Sequence, residues 1–190
     1  MISFPTSCIK VCINHAKIIR DELCKKFNTD AVIAGGALRD SVTGKPVKDI
    51  DIIIHGDEKT DYFGYLSKLE GIKTVVNKST ENSSYNSYSG YGSGDIIVVF
   101  GLTFEDPDLL PIDIIVHGSS VGERIRTFPC NAAMIWLNRR GTSINARDEF
   151  ELFSTQKELH LYPTANQKYK DKILLKYPEC NLTVDLGKYY

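Results

Sequence analysis

No apolar run in this chain of 190 residues approaches the length needed to cross a membrane, which excludes a helical span. The N-terminus has no basic stretch followed by an apolar one, so export is not expected and a cytoplasmic location is. The five cysteines, Cys8, Cys12, Cys24, Cys130 and Cys180, are odd in number and lack paired CxxC spacing. That pattern offers neither a disulfide framework nor a zinc site, and it fits a reducing compartment. Cys8 and Cys12 stand one helical turn apart and are expected to pack in a core. Excess charge of either sign is also missing. At a net charge of −1, no global field draws the protein to nucleic acid, and any such contact must come from a local patch. There is no internal repeat. What remains, 42% hydrophobic and 25% charged residues, is the composition of an ordinary globular chain long enough for one well-cored domain.

The most informative stretch is residues 31–56, AVIAGGALRDSVTGKPVKDIDIIIHG. Residues 31–34 form a short apolar run suited to a covered strand. Gly35 and Gly36 remove two Cβ atoms where the backbone turns. Residues 37–42 predict a short helix stopped by Gly44 and Pro46. Free N–H groups at such a helix start suit an anion, commonly phosphate. In the strand expected over residues 49–55, Asp49 and Asp51 share one face, while Ile50, Ile52 and Ile54 share the other, core face. A phosphate cradle followed by two parallel carboxylates is a layout for metal-dependent phosphoryl transfer. The bland alternatives are an ordinary turn, a solvated strand end and an exposed Arg39–Asp40 pair of little energetic consequence.

Taken together, GGALRD and KDIDI resemble the GGxxRD…KDxDI signature of the nucleotidyltransferase head of the class II CCA-adding enzyme and bacterial poly(A) polymerase family, within the DNA polymerase β-like superfamily. The resemblance implies an α/β (α+β) polymerase β-like fold, with a mixed central sheet flanked by helices, a terminal β-hairpin and short C-terminal helices. It implies Asp49 and Asp51 as catalytic metal ligands, and Gly35, Gly36, Arg39 and Asp40 in the nucleotide site. A third carboxylate is required on a neighbouring strand in an apolar–Asp–apolar setting. Asp113 in IDIIVH fits best, and Asp95 is the second candidate.

The rest of the chain is read around that unit. Residues 7–27 predict an amphipathic helix through Ile9, Cys12, Ala16, Ile19, Leu23 and Phe27, capped by Thr6 or Ser7. Residues 59–69 predict a helix stopped by Gly71, and residues 72–76 a strand. Residues 79–94, rich in Ser, Gly, Asn and Tyr, predict a mobile loop. Its Tyr85, Tyr88 and Tyr91 suggest base stacking, although a flexible insertion is an equal reading. Residues 95–100 and 112–117 predict strands. RIRTFPCN resembles the family's RRDFTxN motif, with Arg126 and Asn131 implied at the nucleotide. Ile125, Thr127 and Pro129 depart from that motif, and Arg124 is a candidate replacement for the missing arginine. Thr127 is read as the N-cap of a helix with Pro129 in its first turn. Residues 135–137 and 142–144, joined by a turn containing Arg139 and Arg140, predict the hairpin. Residues 153–160 and 169–177 predict short helices, the second basic through Lys168, Lys170, Lys172 and Lys176.

The expected organisation is a head over residues 1–150 with a short extension, 151–190, in the same compact unit. By the resemblance, Asp49, Asp51 and Asp113 would hold two Mg²⁺ ions, with Mn²⁺ as the alternative, about 3.5–4 Å apart. The implied reaction transfers a nucleoside monophosphate from an NTP to an acceptor hydroxyl with release of pyrophosphate. RNA or tRNA is the first-choice acceptor. The EDxxR nucleotide-selecting motif of the family's neck is not seen, so CCA addition itself is not expected. A toxin-like enzyme modifying tRNA or protein, and a weakly active nucleotide- or RNA-binding decoy, are the alternatives.

Overall fold

The computed structural model describes residues 7–81, 96–162, 165 and 167–184. The first helix, α1 (Ser7–Phe27), has the bounds its periodicity predicts. Ile9, Cys12, Ile13, Ala16, Ile19 and Leu23 are buried along one stripe, and His15 packs edge-on against Phe104. Asn28 ends the helix in the left-handed region and turns the chain into β1 (Ala31–Ala34). There follow α2 (Gly36–Val42), β2 (Ile50–His55), the short α3 (Tyr62–Leu66), β3 (Ile72–Asn77) and α4 (Lys78–Glu81). Strands β4 (Ile96–Phe104) and β5 (Ile112–His117) come next, then α5 (Val121–Arg126), a 3₁₀ turn (Asn131–Ala133) and the hairpin β6 (Ile135–Leu137) and β7 (Ile144–Ala146). The chain closes with α6 (Asp148–Gln156), β8 (Glu158–Leu161), α7 (Gln167–Lys176) and β9 (Asn181–Val184).

The seven strands β3-β4-β5-β2-β1-β6-β7, in that spatial order, form one mixed sheet. Only β2 and β5 run parallel; every other neighbouring pair is antiparallel. Ile52, Ile53 and Ile54 are all fully buried, so the middle of β2 is covered on both faces. Helices α1 and α5 both pack against β1 and β2. The sequence expectation of one apolar face therefore holds only at the start of β2, where Asp51 interrupts the burial.

Several elements differ from their predicted form. The helix expected over 59–69 shrinks to α3, whose start is set by Asp61 accepting the Gly64 N–H. Strand β4 runs on through GLTF to Phe104 because Leu102 and Phe104 are buried partners in the sheet. Thr127 closes α5 instead of opening a helix. The helix starts at Ser120, where Ser120 and Glu123 form a capping box. After Phe153 the predicted helix stops early: Lys157 adopts a left-handed conformation, and residues 158–161 pair with β9 in a small parallel sheet. The tyrosines Tyr85, Tyr88 and Tyr91 and the alternative carboxylate Asp95 lie outside the described residues.

Candidate active site

The site sits at the end of the sheet where β2 and β5 begin and β1 ends. In the parallel β2–β5 pair, Asp51 lies in register with Asp113. Aligned residues of neighbouring strands share a face, so the two carboxylates stand side by side. Register carries that face outward to Ala34 and Trp136 on one side and to Gly101 on the other. Asp49, just before β2, is exposed. Asp113 is almost completely buried, and Asp51 is partly exposed at the mouth. Burial, then the neighbouring carboxylates of Asp49 and Asp113, push the Asp51 pKa up to about 7, with Lys172 and Lys78 pulling the other way. Such a group gains from a cation.

Sequence reasoning missed the cation that is present. The Lys78 ammonium donates to Asp113 Oδ1 at 2.5 Å. Nothing in the motif points to this lysine; the available signal was Gly101, a small residue inside the bulky run of β4. Among the described residues, no group of three or more His, Cys, Asp or Glu side chains is gathered closely enough to hold a metal ion. Asp51 and Asp113 stand in register and Asp49 is exposed just before β2, so the donors at this end of the sheet are hard oxygens without a gathered three-carboxylate set.

Gly35 has φ +83° and ψ −136°, a conformation that only glycine adopts without strain. A Cβ there would stand 3.6 Å from Asp51 Oδ2 and 3.7 Å from Phe128 Cζ, which places this turn directly against the carboxylate. Its N–H, expected to face a phosphate, donates instead to the Ile135 carbonyl at 2.9 Å and anchors β6. Gly36, expected in the turn ahead of a helix over residues 37–42, is the first residue of α2.

Arg39 and Asp40 form neither the exposed pair of the bland reading nor a pair facing the mouth of the site. Both are buried. Arg39 Nε donates to Asp40 Oδ1 at 2.7 Å, and Tyr177 Oη donates to the same oxygen at 2.6 Å. Lys176 donates to Asp40 Oδ2, and the Arg39 guanidinium lies over the Tyr177 ring. Burial alone would raise the Asp40 pKa, but hydrogen bonds from Arg39, Lys176 and Tyr177 hold it below the usual carboxylate range. The pair supports the turn from behind: Arg39 Nη2 lies 3.4 Å from where a Gly36 Cβ would be.

Asn131 is likewise fully buried, and its side chain hydrogen-bonds to backbone groups. Its Nδ2 donates to the carbonyls of Glu149 and Glu158, each at 3.0 Å, and its Oδ1 accepts the His160 N–H at 3.0 Å. It joins the 3₁₀ turn to α6 and β8, so its side chain faces the protein and not a ligand. Arg126 is exposed and, with Trp136, Asn145 and Arg147, lines a hollow of about 420 Å³ on the carboxylate face, beyond β1. Arg124 is buried, and its guanidinium stacks over the Phe128 ring at 5.4 Å. Arg139 pairs with Asp30 at the opposite end of β1 from Gly35.

No family model matches the chain, and no curated protein matches it by sequence. Solved structures do. An apo CCA-adding enzyme superposes with a TM-score of 0.61 at 12% identity, over 96% of this chain and 44% of that one. The Thermotoga maritima CCA-adding enzyme complexed with tRNA gives 0.60 at 12% identity, over 97% and 43%. A CCA-adding enzyme in complex with CTP gives 0.56 at 14% identity, over 90% and 39%. The fold implied by GGALRD and KDIDI is thus the fold observed, and the chain spans less than half the length of these matched chains.

Proposed function

We propose that the protein is a metal-dependent nucleotidyltransferase that moves a nucleoside monophosphate from an NTP to an acceptor hydroxyl, with an RNA or tRNA 3′ end as the acceptor. The observation that carries this reading is the in-register pair Asp51 and Asp113, on one face of adjacent parallel strands beside a glycine-only turn. The matched structures of CCA-adding enzymes with CTP and with tRNA are consistent with those partners.

Divalent ions bound at such carboxylates lower the pKa of an attacking hydroxyl and neutralise charge on the transferring phosphate. The chain does the rest. Asp51 and Asp113, joined by Asp49, would supply hard oxygen ligands suited to Mg²⁺ or Mn²⁺. Gly36 opens α2, and its lack of a side chain would let a phosphate approach the first-turn N–H groups, with Arg39 Nη2 3.4 Å from where its Cβ would be. Phe128, adjoining Gly35 and backed by Arg124, closes one wall and excludes water from it. Lys172 and Lys78 pull the Asp51 pKa down and would offset the negative charge of a triphosphate bound beside it. In-line attack of the acceptor hydroxyl on the α-phosphorus forms the new P–O bond, breaks the bond to the β-phosphate bridge and releases pyrophosphate.

One observation favours a second reading. An ammonium already bound to Asp113 is also what a nucleotide- or RNA-binding module without turnover would carry. Incubation with each α-labelled NTP, Mg²⁺ and total tRNA or protein lysate separates the two. Label on an acceptor supports the transferase, and the acceptor's identity tells an RNA-extending enzyme from a toxin-like modifier. Nucleotide binding without label transfer favours the binder.

A further inference from the structure

Lys78 reaches Asp113 along a path the fold keeps open. Asp113 lies opposite Gly101 in the antiparallel β4–β5 pair, and both present the same face. A Cβ at Gly101 would overlap the Lys78 stem and come within 3.2 Å of its Nζ. A larger residue at that one position of β4 would force the end of the Lys78 side chain to shift from its present seat. The backbone that carries Lys78 is pinned on its C-terminal side. The Ser79 N–H donates to Asn77 Oδ1 at 3.0 Å, and Ser79 Oγ accepts the Val99 N–H at 2.8 Å, which ties the start of α4 to β4. The side chain is 35% exposed while the carboxylate it holds is 2% exposed. The ammonium therefore sits between solvent and a nearly buried ligand.

An ammonium and a divalent ion on the same carboxylate oxygen repel each other and compete for the same lone pairs. We infer that Lys78 is the resident counter-cation of Asp113, seated through the Gly101 gap where a divalent ion would bind, and that metal entry displaces it. This rests on the metal-dependent reading of the same carboxylates. It gives the metal-free protein a neutralised Asp113 without a bound ion. It also makes metal affinity a property of a residue outside the carboxylate set, and it leaves a free ammonium at the mouth once the metal is in.

The test uses the full chain, free of nucleotide, with Mn²⁺ as the probe and free ion counted by electron paramagnetic resonance. Lys78→Met keeps the stem and removes the charge. Gly101→Ala keeps the charge and fills the gap, so it carries the test if the first variant folds poorly. Both variants are expected to bind Mn²⁺ about three- to tenfold more tightly than wild type at low ionic strength, the range set by losing one partly exposed ion pair. Without metal, Lys78→Met is expected to melt below wild type, because its nearly buried carboxylate has lost the ammonium, and Mn²⁺ is expected to close that difference. Mn²⁺ binding by wild type with no gain in either variant would overturn the Lys78 inference alone. No Mn²⁺ binding by wild type or either variant would overturn it together with the metal-dependent reading.

Discussion

The Tyr177 hydroxyl donates to Asp40 Oδ1 at 2.6 Å and lies 3.1 Å from both Arg39 Nε and Thr43 Oγ1. A residue just past the last helix thus locks the first motif of the chain. Buried polar groups that lose a partner carry the desolvation penalty of the orphaned atom. Tyr177→Phe is expected to lower stability to urea by about 1–3 kcal/mol. It should also loosen the turn at Gly36 that Arg39 supports, raising KM for the NTP more than it lowers kcat. A loss of stability with unchanged KM would mean that the network is a fastening and nothing more.

Asn131 gives a sharper contrast with the family motif. Its three backbone hydrogen bonds all stay inside the protein. Asn131→Ala is expected to cost about 2–4 kcal/mol of stability. NTP affinity of the fraction that remains folded should stay near wild type. Nucleotide titration below the melting transition checks this.

Gly35→Ala forces a Cβ onto a backbone at φ +83°. The expected strain is about 1–3 kcal/mol. Relief of that strain would shift the turn that adjoins Asp51, so activity should fall further than stability does. Comparing the urea midpoint with single-turnover rates separates the two effects.

The pH dependence of the metal-free protein follows from Asp51. Its folded-state pKa, pushed up to about 7 by burial and by Asp49 and Asp113, lies above the unfolded value. Its stability contribution is therefore fully present below the unfolded pKa and is lost as pH rises through about 7. Relative to Asp51→Asn, the wild type should lose stability between about pH 4 and pH 7 in EDTA. Saturating Mg²⁺ should abolish that slope. His15, held below its usual range chiefly by burial, acts in the opposite direction below its unfolded pKa. It does so in wild type and variant alike and drops out of the difference. Asp40, whose pKa is lowered, contributes only at more acid pH.

The fold was legible wherever periodicity was strong. The stripe of α1 and the apolar runs of β1, β2 and β5 follow directly from residue pattern, as does the hairpin near Trp136, although β7 lies two residues beyond the expected 142–144. The α5 boundary was missed because Thr127 and Pro129 look like a helix start, while the Ser120–Glu123 capping box stands seven residues before Thr127. The pairing of β8 with β9 rests on a left-handed Lys157 and on partners about twenty residues apart, neither of which leaves a local signature. At the site, Asp113 is the third carboxylate that the resemblance implies, and the β2–β5 register is what sets it beside Asp51. Motif residues such as Arg39, Asp40 and Asn131 are conspicuous because they are polar, yet a motif does not say whether a polar side chain faces a ligand or another part of the chain. Lys78 belongs to no motif, and only the register that sets Gly101 against Asp113 reveals its place.

The most direct test of the central claim is single-turnover transfer of α-³²P-labelled NTP to tRNA with Mg²⁺, comparing wild type with Asp51→Asn and Asp113→Asn. The predicted result is labelled RNA together with stoichiometric pyrophosphate from wild type. Transfer should fall by about a hundred- to a thousandfold in each variant, the scale of losing transition-state charge stabilisation. Equal transfer by wild type and both variants, or pyrophosphate release that ignores both carboxylates, would contradict the claim.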